Sequence, residues 1–391
     1  MTTRLLDELT VALAARDAAG LARHRRAVDS PQGSHVTVEG REVLHFGSND
    51  YLGLASDPRL IGAAQRGATR FGVGAGASHL ISGHFSAHEA LERELSDWVA
   101  PCVDARALLF STGYLANLAI VTVLCGRGDA VFGDRLNHAC LNDAALLSRA
   151  LFVRYHHGDL NELSCRLTAS RAKRKLICTD AVFSMDGDIA PLPQLLELAE
   201  VHDAWLLVDD AHGFGVSGGG RGTLAHFGLA AERIVYMGTL GKAAGVSGAF
   251  VAAHRAVIET LLQTARPYVF TTASPPLLAC ALQASLAIIR DEPQRRRRLF
   301  ALIARFRAGV ATLPWRVLPS ETAIQPLVVG DNAEALALSD ALWQCGLWVP
   351  AIRPPSVPQG TARLRIAFSA AHAEADVDRL LAALAELAER A

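Results

Sequence analysis

Two residues suited to covalent chemistry, a lysine and an aspartate, each follow an unbroken apolar run. Residues 205–208 (Trp-Leu-Leu-Val) have the character of a strand buried on both faces of a parallel sheet. The run stops in Asp209, Asp210, His212 and Gly213. In open α/β sheets ligands sit beyond the carboxyl ends of the strands, so Asp209 stands where a buried strand opens into a site. Taken alone, the stretch fits equally well an aspartate capping a turn and a histidine satisfied in the core. Lys242 tips the balance, because it follows a second apolar run at 234–237. A lysine at the end of a central strand, one βα unit after an aspartate, suits a Schiff base with an aldehyde.

Other strand ends add to this pair. Residues 107–110 read as a strand, followed by Ser111-Thr-Gly-Tyr114 and an apolar helix over 115–124. Free N–H groups and the positive end of the helix dipole make that turn an anion site, although many such turns bind nothing. A strand at 129–132 leads to His138, which a loop or capping role would explain as well as a ligand role. A strand at 175–179 exits through Asp180-Ala-Val-Phe-Ser-Met-Asp-Gly-Asp188; its acids lack the spacing of a calcium loop, and no metal is expected. Together the ends offer an anion site at 112–114, a flat ring at His138, the hydroxyl of Ser184, Asp209 with His212, and Lys242 preceded by Thr239. Pyridoxal 5′-phosphate needs this set: hydroxyls and N–H groups for its phosphate, a flat partner for its ring, a carboxylate for its pyridine nitrogen and a lysine for its aldehyde. Two phosphate motifs fail on context. The glycine-rich stretch 72–83 follows no buried strand, and Ala243 stands where a P-loop after Gly241-Lys242 requires Ser or Thr. The 72–83 stretch is expected instead to let backbone approach a ligand or a second chain.

The elements that must position these residues fit an α/β enzyme. The 391 residues are 51% hydrophobic and 20% charged, ample for a large core. A net charge of −1 gives no reason to expect nucleic acid or an acidic membrane as partner. Seven scattered cysteines without a C-x-x-C favour reduced thiols and a cytoplasmic setting. Residues 3–26 read as an amphipathic helix ending in Arg23-His-Arg-Arg26, neither a signal nor a transit peptide, and the apolar run 118–125 is too short to span a membrane. A hairpin (36–38, 43–46) follows, then helices at 88–98 and 191–202 and a strand at 249–253. Near residue 293 a helix begins whose Arg295–Arg298 run is expected to face water while Leu299, Leu302 and Phe306 are buried. Strands at 323–329, 348–352 and 362–368 alternate with helices at 333–344 and 373–389. The last helix is expected to bury Val377, Leu380, Leu381, Leu384 and Leu387. The chain divides on this reading into an N-terminal segment (1–50), a large cofactor-binding domain (51–288) and a small α/β domain (289–391).

The motifs Ser48-Asn-Asp-Tyr-Leu-Gly53, Asp180 to Asp188, Asp209-Asp-Ala-His-Gly213 and Thr239-Leu-Gly-Lys242 carry a specific resemblance. Over essentially its whole length the sequence resembles the α-oxoamine synthases, fold-type I pyridoxal-phosphate enzymes. Their fold is a large domain with a mostly parallel central sheet and a smaller C-terminal α/β domain. Gly76-Ala-Ser-His-Leu-Ile-Ser-Gly-His84 and the run from Ala351 to Arg365 resemble the biotin-pathway branch; other branches usually carry arginine in place of His79. Cys140 departs from the pattern, in which Ser often follows the His-Ala pair.

The resemblance implies that Lys242 carries the cofactor as a Schiff base and later removes the Cα proton of the amino acid. Asp209 pairs with the pyridine nitrogen; His212 and Ser184 meet the ring's phenolic oxygen, and His138 stacks on the ring. Gly113, Tyr114 and Thr239 border the phosphate, with Thr271 and Thr272 reaching it from the second subunit of a homodimer. Arg365 clamps the amino-acid carboxylate, a bidentate task for which lysine is poorly shaped. Arg23 and Ser356 contact substrate. The implied reaction is a decarboxylative condensation of L-alanine with pimeloyl-CoA or pimeloyl-acyl carrier protein. Its rivals are a sister synthase using glycine and another acyl-CoA, a pyridoxal-phosphate aminotransferase, and a non-catalytic protein of the same fold.

Overall fold

The computed structural model describes residues 3–389, which form two compact units. The larger comprises residues 49–184 and 188–298; the other groups the chain up to Ser48 with 185–187 and everything from Leu299 onward. Both ends of the chain therefore share one unit, a grouping that a linear division at 50 and 288 does not contain.

Seven strands organise the larger unit: β1 (Ala105–Phe110), β2 (Ala130–Asp134), β3 (Leu151–Tyr155), β4 (Lys175–Asp180), β5 (Trp205–Asp209), β6 (Ile234–Thr239) and β7 (Ala249–His254). Their spatial order is β1-β7-β6-β5-β4-β2-β3. The strand β7 runs antiparallel to β1 and β6, and every other pair is parallel. In β5, Leu206, Leu207 and Val208 are fully buried, as an apolar run covered on both faces requires. Asp180 lies in register with Asp209, and Asp209 with Met237, so β4, β5 and β6 end nearly level along one edge.

Helices pack on this sheet through Ala116, Ile120, Val121, Leu141, Ala144 and Ala145, against Val131, Leu207, Val235 and Val251. Helix Gly113–Leu124 starts because the Thr112 side chain accepts from Leu115 N–H at 3.2 Å. Helix Ala139–Ser148 starts at His138, whose ring accepts from Cys140 N–H. The sequence pattern does not announce three elements between 139 and 169. Helix Ala139–Ser148 is rich in small residues, β3 is an edge strand with Leu151 exposed, and helix Leu160–Ala169 buries just Leu163 and Leu167.

Two expectations need correction. The N-terminal helix runs over Arg4–Ala18, not to residue 26, because Gly20 takes a left-handed φ of 63° and breaks it. None of its residues is buried within the chain, and Arg23–Arg26 lie beyond it. The arginine run at 295–298 is not simply a solvated face of helix Pro293–Val310. Arg295 binds Asp57 Oδ2 at 3.0 Å, Glu292 Oε2 at 2.8 Å and the carbonyl of Leu52 at 3.1 Å, while the buried Arg296 donates to the Ile289 carbonyl. Leu299, Leu302 and Phe306 are buried as expected.

The smaller unit holds an antiparallel sheet in the order Arg316–Val317, Ile324–Gly330, Ala362–Ala367, Ala351–Ile352. A second sheet joins the hairpin His35–Val38 and Arg41–His45 to Leu347–Trp348, which is how the chain's two ends come together. Helix Glu374–Glu389 buries Val377, Leu380 and Leu384, whereas Leu381 and Leu387 are half-buried.

Candidate active site

The level ends of β4, β5 and β6 carry the site. Asp209 closes β5 with its carboxylate almost wholly buried. One oxygen accepts from Ala211 N–H at 3.0 Å, and the other from the Asn117 side-chain amide at 2.6 Å. The aspartate thus does cap its turn. Asn117 lies on helix Gly113–Leu124 and is fully buried. A polar residue inside an apolar helix was the available signal for it, and the sequence reading passed it over. Its amide also donates to Cys140 Sγ at 3.1 Å, and that sulfur lies 2.9 Å from Nδ1 of His138.

His138 stands just before helix Ala139–Ser148, with its backbone N–H held by Asp180 Oδ2 at 2.6 Å. The residue as a whole is exposed, although its Nδ1 edge is engaged by Cys140. Desolvation lowers its pKa, and the nearby charge of Asp209 partly opposes this. Burial together with the neighbouring Asp209 pushes the Asp180 carboxyl far above the usual range. Asp180 is a residue that the sequence reading quoted without a role.

Lys242 lies in the turn after β6, three residues beyond Thr239, rather than on the strand itself. Its Nζ is 2.9 Å from Nε2 of His212, whose Nδ1 is 2.6 Å from the hydroxyl of the fully buried Tyr51. Tyr51 belongs to the motif 48–53, which now has a physical account. Asp50 accepts from the N–H groups of Leu54 and Ala55 at 2.8 and 3.1 Å, and the turn it caps presents Tyr51 to His212. The hydroxyl of Thr239 donates to the Gly248 carbonyl at 3.1 Å and accepts from Gly241 N–H at 3.4 Å, shaping the turn that carries the lysine.

Ser184 lies half-buried beyond β4. Gly113 begins its helix beside Met237, where a Cβ would come within 3.4 Å of Met237 Cε, and the Tyr114 hydroxyl donates to Asp143. Thr271 and Thr272 lie on an open segment of the same unit, Thr272 forming a bridge with Ser78. Arg23, Ser356 and Arg365 belong to the smaller unit. There Arg23 donates to Ser356 Oγ at 3.4 Å beside a cavity of about 320 Å³ that Arg353 also lines. The sequence reading passed over Arg353, although it sits inside the stretch 351–365. Its guanidinium is tied to the carbonyls of Gly20 and Ala22. Arg365 is buried on its strand.

A histidine trio lies apart from these residues. His79, His84 and His88 bring ring nitrogens within 4.8 Å of one another. His88, however, accepts from Phe85 N–H at 3.1 Å and donates to the Ser274 carbonyl at 3.0 Å, so neither ring nitrogen keeps a lone pair for an ion.

Residues 41–384 match the family model described as aminotransferase class I and II. An 8-amino-7-oxononanoate synthase from Herminiimonas arsenicoxydans is 60% identical over 384 residues, covering 97% of this chain and 98% of the relative. The chain belongs to the 8-amino-7-oxononanoate synthase family. Solved structures agree. The 8-amino-7-oxononanoate synthase of Francisella tularensis superposes with a TM-score of 0.77 at 28% identity, over 89% of this chain and 98% of that one. A serine palmitoyltransferase solved with its pyridoxal-phosphate internal aldimine gives 0.91 at 30% identity, over 98% and 97%.

Like the rest of the 8-amino-7-oxononanoate synthase family, this chain is a pyridoxal-phosphate-dependent acyltransferase of fold type I. Its residues fit that cofactor on their own geometry. The two donors that reach Asp209 are neutral, which suits a carboxylate meant to face a protonated pyridine nitrogen. His138 and the amine of Lys242 flank the same strand ends, and a helix N-terminus opens at Gly113. Among the described residues no helix is long and apolar enough to cross a membrane.

Proposed function

We propose that the protein joins L-alanine to a pimeloyl thioester, carried on coenzyme A or acyl carrier protein, and releases 8-amino-7-oxononanoate, CO₂ and the free thiol carrier. The observation that carries this reading is Lys242 Nζ at 2.9 Å from His212, beside Asp209, in a chain 60% identical to an enzyme of that name. Pyridoxal phosphate supplies, when bound, the electron sink that makes carbanions at the amino-acid Cα accessible.

The chain's own residues do the rest. Lys242 Nζ takes the Cα proton of alanine and returns one after CO₂ has left; the turn closed by Thr239 holds it at the strand edge. His212, braced by Tyr51, hydrogen-bonds Lys242 and steers its amine. Asp209 sets its carboxyl group at the end of β5, in a position that excludes most water. Ser184 places a hydroxyl beside the ring oxygen, and Gly113 with Tyr114 borders the phosphate. Arg365 takes the alanine carboxylate as a bidentate pair. Arg23 and Ser356 contact substrate. We also assign a homodimer in the cytoplasm, in which Thr271 and Thr272 of each subunit complete the phosphate site of the other.

The test is substrate pairing. The protein loaded with pyridoxal phosphate is given L-alanine or glycine with pimeloyl-CoA, acetyl-CoA or succinyl-CoA, while CO₂ and free thiol are followed. Release with alanine and pimeloyl-CoA supports the reading. A preference for glycine with a shorter thioester would reassign the chain to a sister synthase, and amino transfer without CO₂ would make it an aminotransferase.

A further inference from the structure

Cys140 stands where serine often follows the His-Ala pair in the family, and the structure puts its thiol at a junction. The sulfur lies 2.9 Å from His138 Nδ1 and receives the Asn117 amide at 3.1 Å. The same Nδ1 accepts Cys140 N–H at 3.3 Å, so this nitrogen acts as an acceptor and the ring proton sits on Nε2. Asn117 has two amide hydrogens, and both are used: one toward the sulfur and the other toward Asp209 Oδ2 at 2.6 Å. With its lone pairs turned to Asn117, the sulfur is left to donate its own hydrogen to His138. His138, Cys140, Asn117 and Asp209 thus form one connected chain, with Asn117 donating in both directions. It runs from the residue placed on the cofactor's ring face to the residue placed at its ring nitrogen.

We propose that Cys140 is a positioning residue whose S–H donates to His138 Nδ1, holding the imidazole neutral with its proton on Nε2 and locking its orientation to that of Asp209. Burial keeps the Cys140 thiol protonated by raising its pKa, so the donor is present across the working range. The charged groups that face His138 are Asp209 and Asp143, which favour its protonation, and Lys242, which opposes it. Asp180 holds its backbone N–H. Desolvation lowers the His138 pKa against the pull of the two carboxylates, and a donor at Nδ1 acts in the same direction, since protonating that nitrogen means breaking the S–H contact. A serine donates in the same direction and an alanine does not.

The inference rests on the site's geometry and on the role given to His138, but not on the choice of acyl donor, so its readout is separate from turnover. The experiment is NMR of the full chain labelled at histidine nitrogen, with and without pyridoxal phosphate, comparing wild type, Cys140→Ser and Cys140→Ala. Wild type and Cys140→Ser should show His138 protonated on Nε2 and neutral through the neutral pH range. Cys140→Ala should raise the His138 pKa by about one unit, the equivalent of one lost hydrogen bond, and broaden its tautomer signal. An unchanged His138 titration in Cys140→Ala would overturn the proposal. So would Cys140→Ser behaving as Cys140→Ala does, because the sulfur would then be packing and not donating. Failure of the alanine and pimeloyl-CoA assay alongside the expected titration would sink the functional reading and leave this one standing.

Discussion

Asp209 and Asp210 are chain neighbours at the end of β5, and alternation along an extended chain sends their side chains to opposite sides. On one side, Asp209 accepts two N–H groups and lies at the rim shared with Lys242 and His138. On the other, Asp210 is fully enclosed. It accepts from Thr223 N–H and Thr223 Oγ1 at 2.6 Å each, and from the Tyr236 hydroxyl at 2.9 Å. Gly213 and Gly222 close over it so tightly that a Cβ on either would come within 2.0 and 2.3 Å of its oxygens. Burial pushes its carboxyl up to about 7 despite those three donors. The difference teaches how to separate a carboxylate that serves a ligand from one that serves the fold. The first is partly satisfied by neutral donors, and the second is saturated and walled in.

The largest expected effect lies on the open side. Lys242→Ala should abolish condensation and the visible absorbance of the lysine-bound cofactor, with thermal stability nearly unchanged. Normal turnover by that variant would remove the basis of the functional reading. Asp209→Ala should come next, lowering kcat by at least about 10²-fold, the scale of losing one preorganised charge, while the apo-protein still folds. Asp210→Asn reverses the pattern. Its new N–H₂ would meet the Thr223 and Tyr236 donors head-on, costing about 2–3 kcal/mol of stability in a denaturant melt. The folded fraction should still bind the cofactor with its usual spectrum. If Asp210→Asn instead altered the cofactor spectrum at full stability, the contrast between the two aspartates would be false.

This contrast also marks how far the sequence could be read. The apolar run 205–208 and its abrupt stop gave β5 and its open end, because burial on both faces leaves so strong a pattern. The motifs put Lys242, His212 and Asp209, and a strand end put His138, at one sheet edge, and the register of β2, β4, β5 and β6 brings their elements together. What stayed hidden were the residues that act through others. Asn117 looks like a solvent-facing interruption of an apolar helix until the packing shows it inside. Tyr51 and Asp180 sat in quoted motifs, but their partners lie 161 and 42 residues away along the chain. The arginines at 295 and 296 read as a solvated run because a sequence shows charge and not the carboxylates and carbonyls that receive it. The hairpin at residues 35–45 pairs with a strand at 347–348, a contact no local pattern announces.

A third arrangement of acids tests whether a charged partner can stand in for the walls around Asp210. His157 bridges Asp134 at the end of β2 and Asp188: Nδ1 is 3.1 Å from both Asp134 oxygens, and Nε2 is 2.9 Å from Asp188 Oδ2. The clamp ties the end of β2 to the far end of the segment that carries Ser184, so it supports the site without touching it. Despite the cost of burial, the hydrogen bonds and charges of the two aspartates hold the imidazole protonated, with its pKa raised to about 10. A folded-state pKa above the unfolded value of ~6.5 means that the clamp's contribution is complete below ~pH 6.5 and is lost as pH rises through the folded value. Removing the ring leaves the almost fully buried Asp134 with backbone donors alone. His157→Ala should therefore cost about 2 kcal/mol near pH 6, an amount kept modest because a third of the ring is exposed and screened. The gap between wild type and variant, followed by thermal melts across pH, should shrink steadily above neutrality and close beyond about pH 10. A gap that stayed constant with pH would mean that His157 packs neutral. The clamp would then be an uncharged contact, and saturation by neutral donors, as at Asp210, would be the way this fold buries its structural acids.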